Sequence, residues 1–138
     1  MANLPYQNAL DLPLAGGIDW AGGDFMVVAC SIAYTFNVLD ESRDDLVGVI
    51  ATASIPATFL SGAGNVADGD DVLTMVIPTG QLMERLILCL DTGTPADDLL
   101  LAHWDHNENG TPIYRPGDDT VAPVLWSAAV DKILAFHP

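Results

Sequence analysis

The apolar residues of this chain come in short runs, set apart by clusters of Gly, Pro, Asn and Asp that punctuate turns. The stretch from Met83 to His106 organises the rest: two apolar runs, RLILCL and LLLAHW, flank the polar segment DTGTPADD and predict a β-hairpin. Leu86, Leu88 and Leu90 fall on one side at period two, with Ile87 and Cys89 on the other. Both faces of this strand are apolar, so it is expected to lie between two layers. A helix is the competing reading of so short a run, and Asp91-Thr92-Gly93-Thr94-Pro95 would stop it almost at once.

The same pattern predicts further strands. Phe25 to Ile32 reads as a buried strand, and the alternation of Tyr34, Phe36 and Val38 with Thr35 and Asn37 reads as its half-exposed continuation. The charge run Asp40 to Asp45 then reads as a solvated loop. Leu46 to Ile55, rich in β-branched residues, Val72 to Ile77, Thr111 to Pro116, Thr120 to Trp126 and Lys132 to Phe136 complete the set, with Pro123 implying an edge or a bulge. Counting predicts seven to nine short, mainly antiparallel strands spaced near a dozen residues apart, the pattern of a single-domain β-sandwich or jelly-roll-like barrel. Residues 1–14 lack a sustained period and carry Pro5 and Pro13, so they predict an extended N-terminal arm before a domain over 15–138. The apolar residues of that arm, Leu4, Tyr6, Leu10, Leu12 and Leu14, must pack on something. Packing on the chain's own core is the first reading; an arm gripping a neighbour is the alternative, for which these residues are the interface candidates.

Composition narrows the function. Over 138 residues the chain is 50% hydrophobic with a net charge of −15, the acids being nearly all Asp, which favours turns over helix interiors. Arg43, Arg85, Arg115 and Lys132 are too few to track phosphates, so nucleic acid is not an expected partner, nor is an anionic membrane. No apolar run approaches the roughly 20 residues that span a bilayer. Cys30 and Cys89 lie inside apolar runs and read as unpaired core residues, and nothing at the N-terminus resembles a secretory signal, so a cytoplasmic origin is expected.

Candidate chemistry is sparse. Asp105-His106-Asn107-Glu108-Asn109-Gly110 matches the first half of a calcium loop, making Asp105, Asn107 and Asn109 weak metal candidates. Pro116 stands where the bidentate Glu belongs, only Asp118 and Asp119 could complete the ligand set, and a polar turn is the simpler reading. His103 and His106, three apart, point to opposite faces of a strand. Ser61 to Asn65 has two glycines but no Walker-type lysine, so it reads as a turn and not a phosphate cradle. No nucleophile elbow is present and no carboxylate pair stands out by spacing, so no catalytic residue and no cofactor are expected.

The order of many small matches carries a resemblance: Tyr6, Gly17-Ile18-Asp19-Trp20, FMVVAC, Tyr34-Thr35-Phe36-Asn37, AGNVADGDDVLTM, LILCLDTGT, LLLAHWD, a Pro-Gly-Asp-Asp turn and the closing DKILAF. From Met1 to Phe136 the chain resembles a group of short virion structural proteins of tailed bacteriophages that decorate or cement the capsid. The resemblance implies a viral structural protein without catalysis on the capsid exterior, assembled in the host cytoplasm, with the major capsid protein as partner and a homo-oligomeric state, dimer or trimer. A head-fibre or tail-associated adaptor is the structural alternative. A small-ligand or carbohydrate-binding β-sandwich, calcium-dependent through the 105–109 loop, is the alternative from another class.

Overall fold

The run RLILCL is the middle strand of a five-stranded antiparallel sheet. A computed structural model describes residues 4–6, 19, 22–61, 66–107, 110–125 and 132–135. These form β1 (Leu4–Pro5), β2 (Phe25–Cys30), β3 (Val49–Ser54), β4 (Thr58–Ser61), β5 (Val66–Gly69), β6 (Leu82–Met83), β7 (Arg85–Leu90), β8 (Leu99–Trp104), β9 (Arg115–Pro116) and β10 (Lys132–Ala135), with one 3-10 turn at Arg43–Asp45. The main sheet has the order β1-β8-β7-β2-β3, beside a three-stranded sheet β10-β5-β4 and a pair β6-β9. The fold is all-β and sandwich-like; β1, β6 and β9 are two residues long, and the other seven strands fall within the predicted count.

The two-sided apolar pattern of β7 has the expected consequence, a separate core on each face of the sheet. On one face Phe25, Val27 and Ala29 of β2 pack with Leu86 and Leu88 of β7 against Val72, Met75, Ile77, Met83, Ala122 and Val124. On the other, Met26, Val28 and Cys30 pack with Ile87, Cys89 and Leu100 against Tyr6, Tyr34 and Leu46. Two bulges adjust the alternation. Leu88 pairs with Ala102 but Cys89 with Leu100, so Leu101 is an extra residue on β8, and Leu101 and Ala102 both enter the first core. Ile50 is likewise extra on β3, between partners of Cys30 and Ala29, and packs beside Ala51 on that same core.

The layer covering the first core is an irregular antiparallel ribbon between 72–83 and 115–124. Bridges at Val72–Val124 and Val76–Val121 and the β6–β9 pair hold it. The predicted strand Val72 to Ile77 is therefore not continuous: four steps on one side face three on the other, and the extra residue turns both Leu73 and Thr74 outward. Gly117 makes the turn of this ribbon possible, because a Cβ there would collide with the Pro78 carbonyl oxygen. Beside it Asp119, in the left-handed region at φ 61°, accepts hydrogen bonds from the Thr79 N–H at 2.9 Å and hydroxyl at 2.8 Å.

Three other expectations are corrected. Tyr34 to Val38 does not continue β2 as a strand; Tyr34 N–H donates to the Ser31 carbonyl in a turn that swings Tyr34 back over the second core. The strands β4 and β5 lie where no strand was predicted, and pair antiparallel with Ser61 opposite Val66. The charge run Asp40 to Asp45 is not simply a solvated loop. Leu100 N–H donates to the Glu41 carbonyl, Ser42 bridges Leu99, and the Arg43 Nε lies 3.0 Å from Oδ2 of the fully buried Asp98. The other oxygen of Asp98 accepts the Thr92 N–H at 2.7 Å and its hydroxyl at 2.8 Å, which fixes the β7–β8 loop. Removing one partner of a buried pair strands the other charge, so Arg43→Met is expected to cost roughly 3 to 5 kcal/mol in urea unfolding; a loss under about 1 kcal/mol would mean that the pair behaves as a surface contact.

Candidate functional site

Among the exposed apolar residues, which also include Ile32, Leu39 and Val47 elsewhere on the surface, one set forms a strip whose origin is the alternation of the ribbon. Val72, Met75 and Ile77 point into the first core, as do Ala122 and Val124, so their neighbours on the same two segments point to solvent. Leu73 is 59% exposed, Val76 41%, Val121 44% and Leu125 65%, and Pro123 is exposed between the last two. The Val76–Val121 and Val72–Val124 bridges bring the two segments side by side, so these residues share one outer face. No charged residue lies within 73–76 or 121–125, while Asp70, Asp71, Asp118 and Asp119 stand just beyond the ends. Arg115 also reaches the strip, donating to the Val121 carbonyl at 3.3 Å. Isolated exposed apolar residues are ordinary, but an uncharged strip with a charged rim has the anatomy of a protein interface. Tyr114, also exposed, lies further along the same ribbon strand.

The residues singled out from the sequence are placed as follows. Leu4 lies on β1, opposite His103 of β8. Tyr6 is fully buried in the second core, its N–H donating to the Leu101 carbonyl at 3.1 Å, so it belongs to the chain's own core and offers no surface to a neighbour. Leu10, Leu12 and Leu14 lie outside the described residues. In the candidate calcium loop, Asp105 Oδ1 is 2.6 Å from His106 Nδ1, and the Asn107 amide donates to the Thr111 hydroxyl at 3.2 Å. Asp105 is engaged by the next residue and Asn107 across the loop, and Asn109 lies outside the described residues. Asp118 Oδ1 accepts the Thr120 N–H, and Asp119 is engaged with Thr79. Among the described residues no group of three or more His, Cys, Asp or Glu could hold a metal ion. His103 is buried on the second-core side of β8, its ring 5.0 Å from that of Phe36 and 6.0 Å from that of Tyr34. Cys30 and Cys89 are free and buried; burial pushes the Cys30 thiol up to about 12 and raises that of Cys89 as well, so neither is a ready nucleophile.

One buried polar chain escaped the sequence. Tyr34 donates its hydroxyl proton to Asp40 at 2.8 Å, so the hydroxyl of Tyr6, 2.7 Å away, must donate to Tyr34. This chain ties the N-terminal segment to the turn that covers the second core. The only hint was an aromatic at Tyr6 and another at Tyr34 in otherwise apolar or turn-rich stretches.

Comparison with protein-family models, with curated proteins and with solved structures finds no match.

Burial is the largest cause that pushes both Tyr6 and Tyr34 hydroxyls well above the ordinary tyrosine range; the hydrogen bond between them raises Tyr6, the donor, further and lowers Tyr34, the acceptor, which the bond to Asp40 raises. Their neutral forms are favoured by folding, so this contribution is fully present below the unfolded value, about 10, and is lost as pH rises beyond it. Tyrosinate absorbance from these two rings is expected to appear together with loss of structure in an alkaline titration. Ionisation of all three tyrosines in a chain that stays folded would contradict their placement.

Proposed function

We propose that this chain is a structural protein of a bacteriophage virion, binding the outer surface of the head lattice as a decoration or cement protein. The observation that supports this most is the uncharged apolar strip of Leu73, Val76, Val121 and Leu125 on a chain of net charge −15. A strip of that kind lets the protein dock on another protein without bringing its acids into the contact, since charged residues are depleted from the centre of interfaces. The sheet beneath it has a core on each face, which holds the strip in a fixed orientation and limits the entropy lost on docking. A lattice repeats its docking sites, so a modest surface can serve where many copies bind. The acidic remainder then faces solvent, where like charge keeps particles apart, and the same charge disfavours the inner face of a shell filled with nucleic acid. The partner in this reading is the major capsid protein, and the resemblance of the chain to virion proteins of tailed phages points the same way.

The test is co-sedimentation with phage heads lacking the protein. Wild-type protein is expected to bind and to raise the resistance of the heads to heat. The double variant Leu73→Asp with Leu125→Asp is expected to lose about 2 kcal/mol or more of binding, roughly thirtyfold, with an unchanged melting temperature, because both side chains are outside the core. Wild-type protein that fails to bind heads overturns the reading, and binding confined to tails moves the role to an adaptor there.

A further inference from the structure

The two edges of the main sheet are treated differently. The β8 edge is closed by short segments of the chain itself: Leu100 N–H donates to Glu41 and Tyr6 N–H to Leu101, and β1 pairs with Ala102 and His103. At the other edge stands β3, six residues long, and among the described residues no strand pairs with its outer side. Proteins commonly block such an edge with Lys, Pro or an inward charge, and VIATAS has none of these. Its one irregularity, the extra Ile50, lies near its start and leaves Ala51 to Ser54 in regular register with β2.

The register also fixes which backbone groups face out. Ile55 N–H donates to the Phe25 carbonyl and Asp91 N–H to that of Asp24, so the groups of Ala53 and Ala51 turn towards β2. Those of Thr52 and Ser54 turn away from the sheet. The side chains along this edge, Ala51, Thr52, Ala53 and Ser54, are small and uncharged, so another backbone can approach closely. The occupant follows from charge. Between Asp45 and Asp68 the chain carries no charged residue, so pairing along this edge brings no charged side chain of its own segment into a contact between two bodies of net charge −15. Antiparallel pairing about a two-fold axis presents each outward N–H and carbonyl to its counterpart, as a self-complementary contact requires.

We propose that β3 is a self-association edge: a second copy of this chain pairs its own β3 antiparallel to it through the outward groups of Thr52 and Ser54, joining the two main sheets into one. This goes beyond head binding and does not rest on it. The edge is distinct from the apolar strip, so a dimer joined here keeps both strips exposed.

The test is sedimentation of the full chain over a concentration series, at low and high sodium chloride and without heads. Wild-type protein is expected to form a dimer that tightens with salt as repulsion is screened. Thr52→Pro removes an outward N–H and no bond to β2, and Thr52→Asp keeps that N–H while adding like charges; each is expected to leave a monomer under conditions where the wild type is a dimer. Should the proline variant fail to fold, as read by circular dichroism, the aspartate variant decides. A wild-type monomer across the series overturns the proposal, as does a dimer that persists in the folded variants. Slow amide exchange at Thr52 and Ser54 in a wild-type monomer also overturns it, because the chain would then cover its own edge. Head binding is measured separately, so loss of one result leaves the other standing.

Discussion

A strand that is apolar on both faces can be stable only where both faces are covered, and β7 imposes that condition on everything around it. Leu86 and Leu88 demand cover on one side, Ile87 and Cys89 on the other. The first demand is met by the irregular ribbon, the second by turns that bring Tyr6, Tyr34 and Leu46 onto the sheet. Among the described residues the second cover is made of turns, so its polar backbone and hydroxyl groups need partners in the interior. The Tyr6–Tyr34–Asp40 chain and the Arg43–Asp98 pair supply them, each tying a distant segment down at the sheet.

The apolar strip follows from the same condition. A ribbon that sends Val72, Met75, Ile77, Ala122 and Val124 into the core must turn the alternate residues outward, and those are Leu73, Val76, Val121 and Leu125 where a merely solvated surface would carry polar groups. The strip itself carries no charged residue, while the segments beside Tyr34 and Leu46 expose both apolar side chains, Ile32, Leu39 and Val47, and acids, Asp44 and Asp45. An uncharged strip on an acidic chain suits a protein that docks by that face, which is the proposed role.

The β7–β8 hairpin was legible from the sequence because its signals agree: two short leucine-rich runs, period-two placement of Leu86, Leu88 and Leu90, and a turn carrying Gly93 and Pro95 between them. The bulges at Leu101 and Ile50 were not, since LLLAHW reads the same whether Leu101 is in register or extra. Val72 to Ile77 looked like a strand for the same reason, its apolar content being insensitive to the step that breaks its ladder. Thr58–Ser61 and Val66–Gly69 were overlooked because each is only four residues long and ends in small or acidic residues. Arg43 was hidden in a charge run, which sequence alone reads as solvated; only the fold brings it to Asp98, one of two adjacent aspartates at the end of a turn. The strip lay in plain view as apolar residues, but which of them face out depends on pairing with a segment some fifty residues away in the chain, from Val72 to Val124.

The most direct measurement is amide hydrogen exchange of the chain free and bound to phage heads. New protection confined to the segments spanning 71–77 and 121–125 is the result the account predicts, with the already buried amides of β2 and β7 unchanged. Binding that leaves those two segments exchanging as in the free chain would contradict it, because the docking face would then lie elsewhere on the molecule.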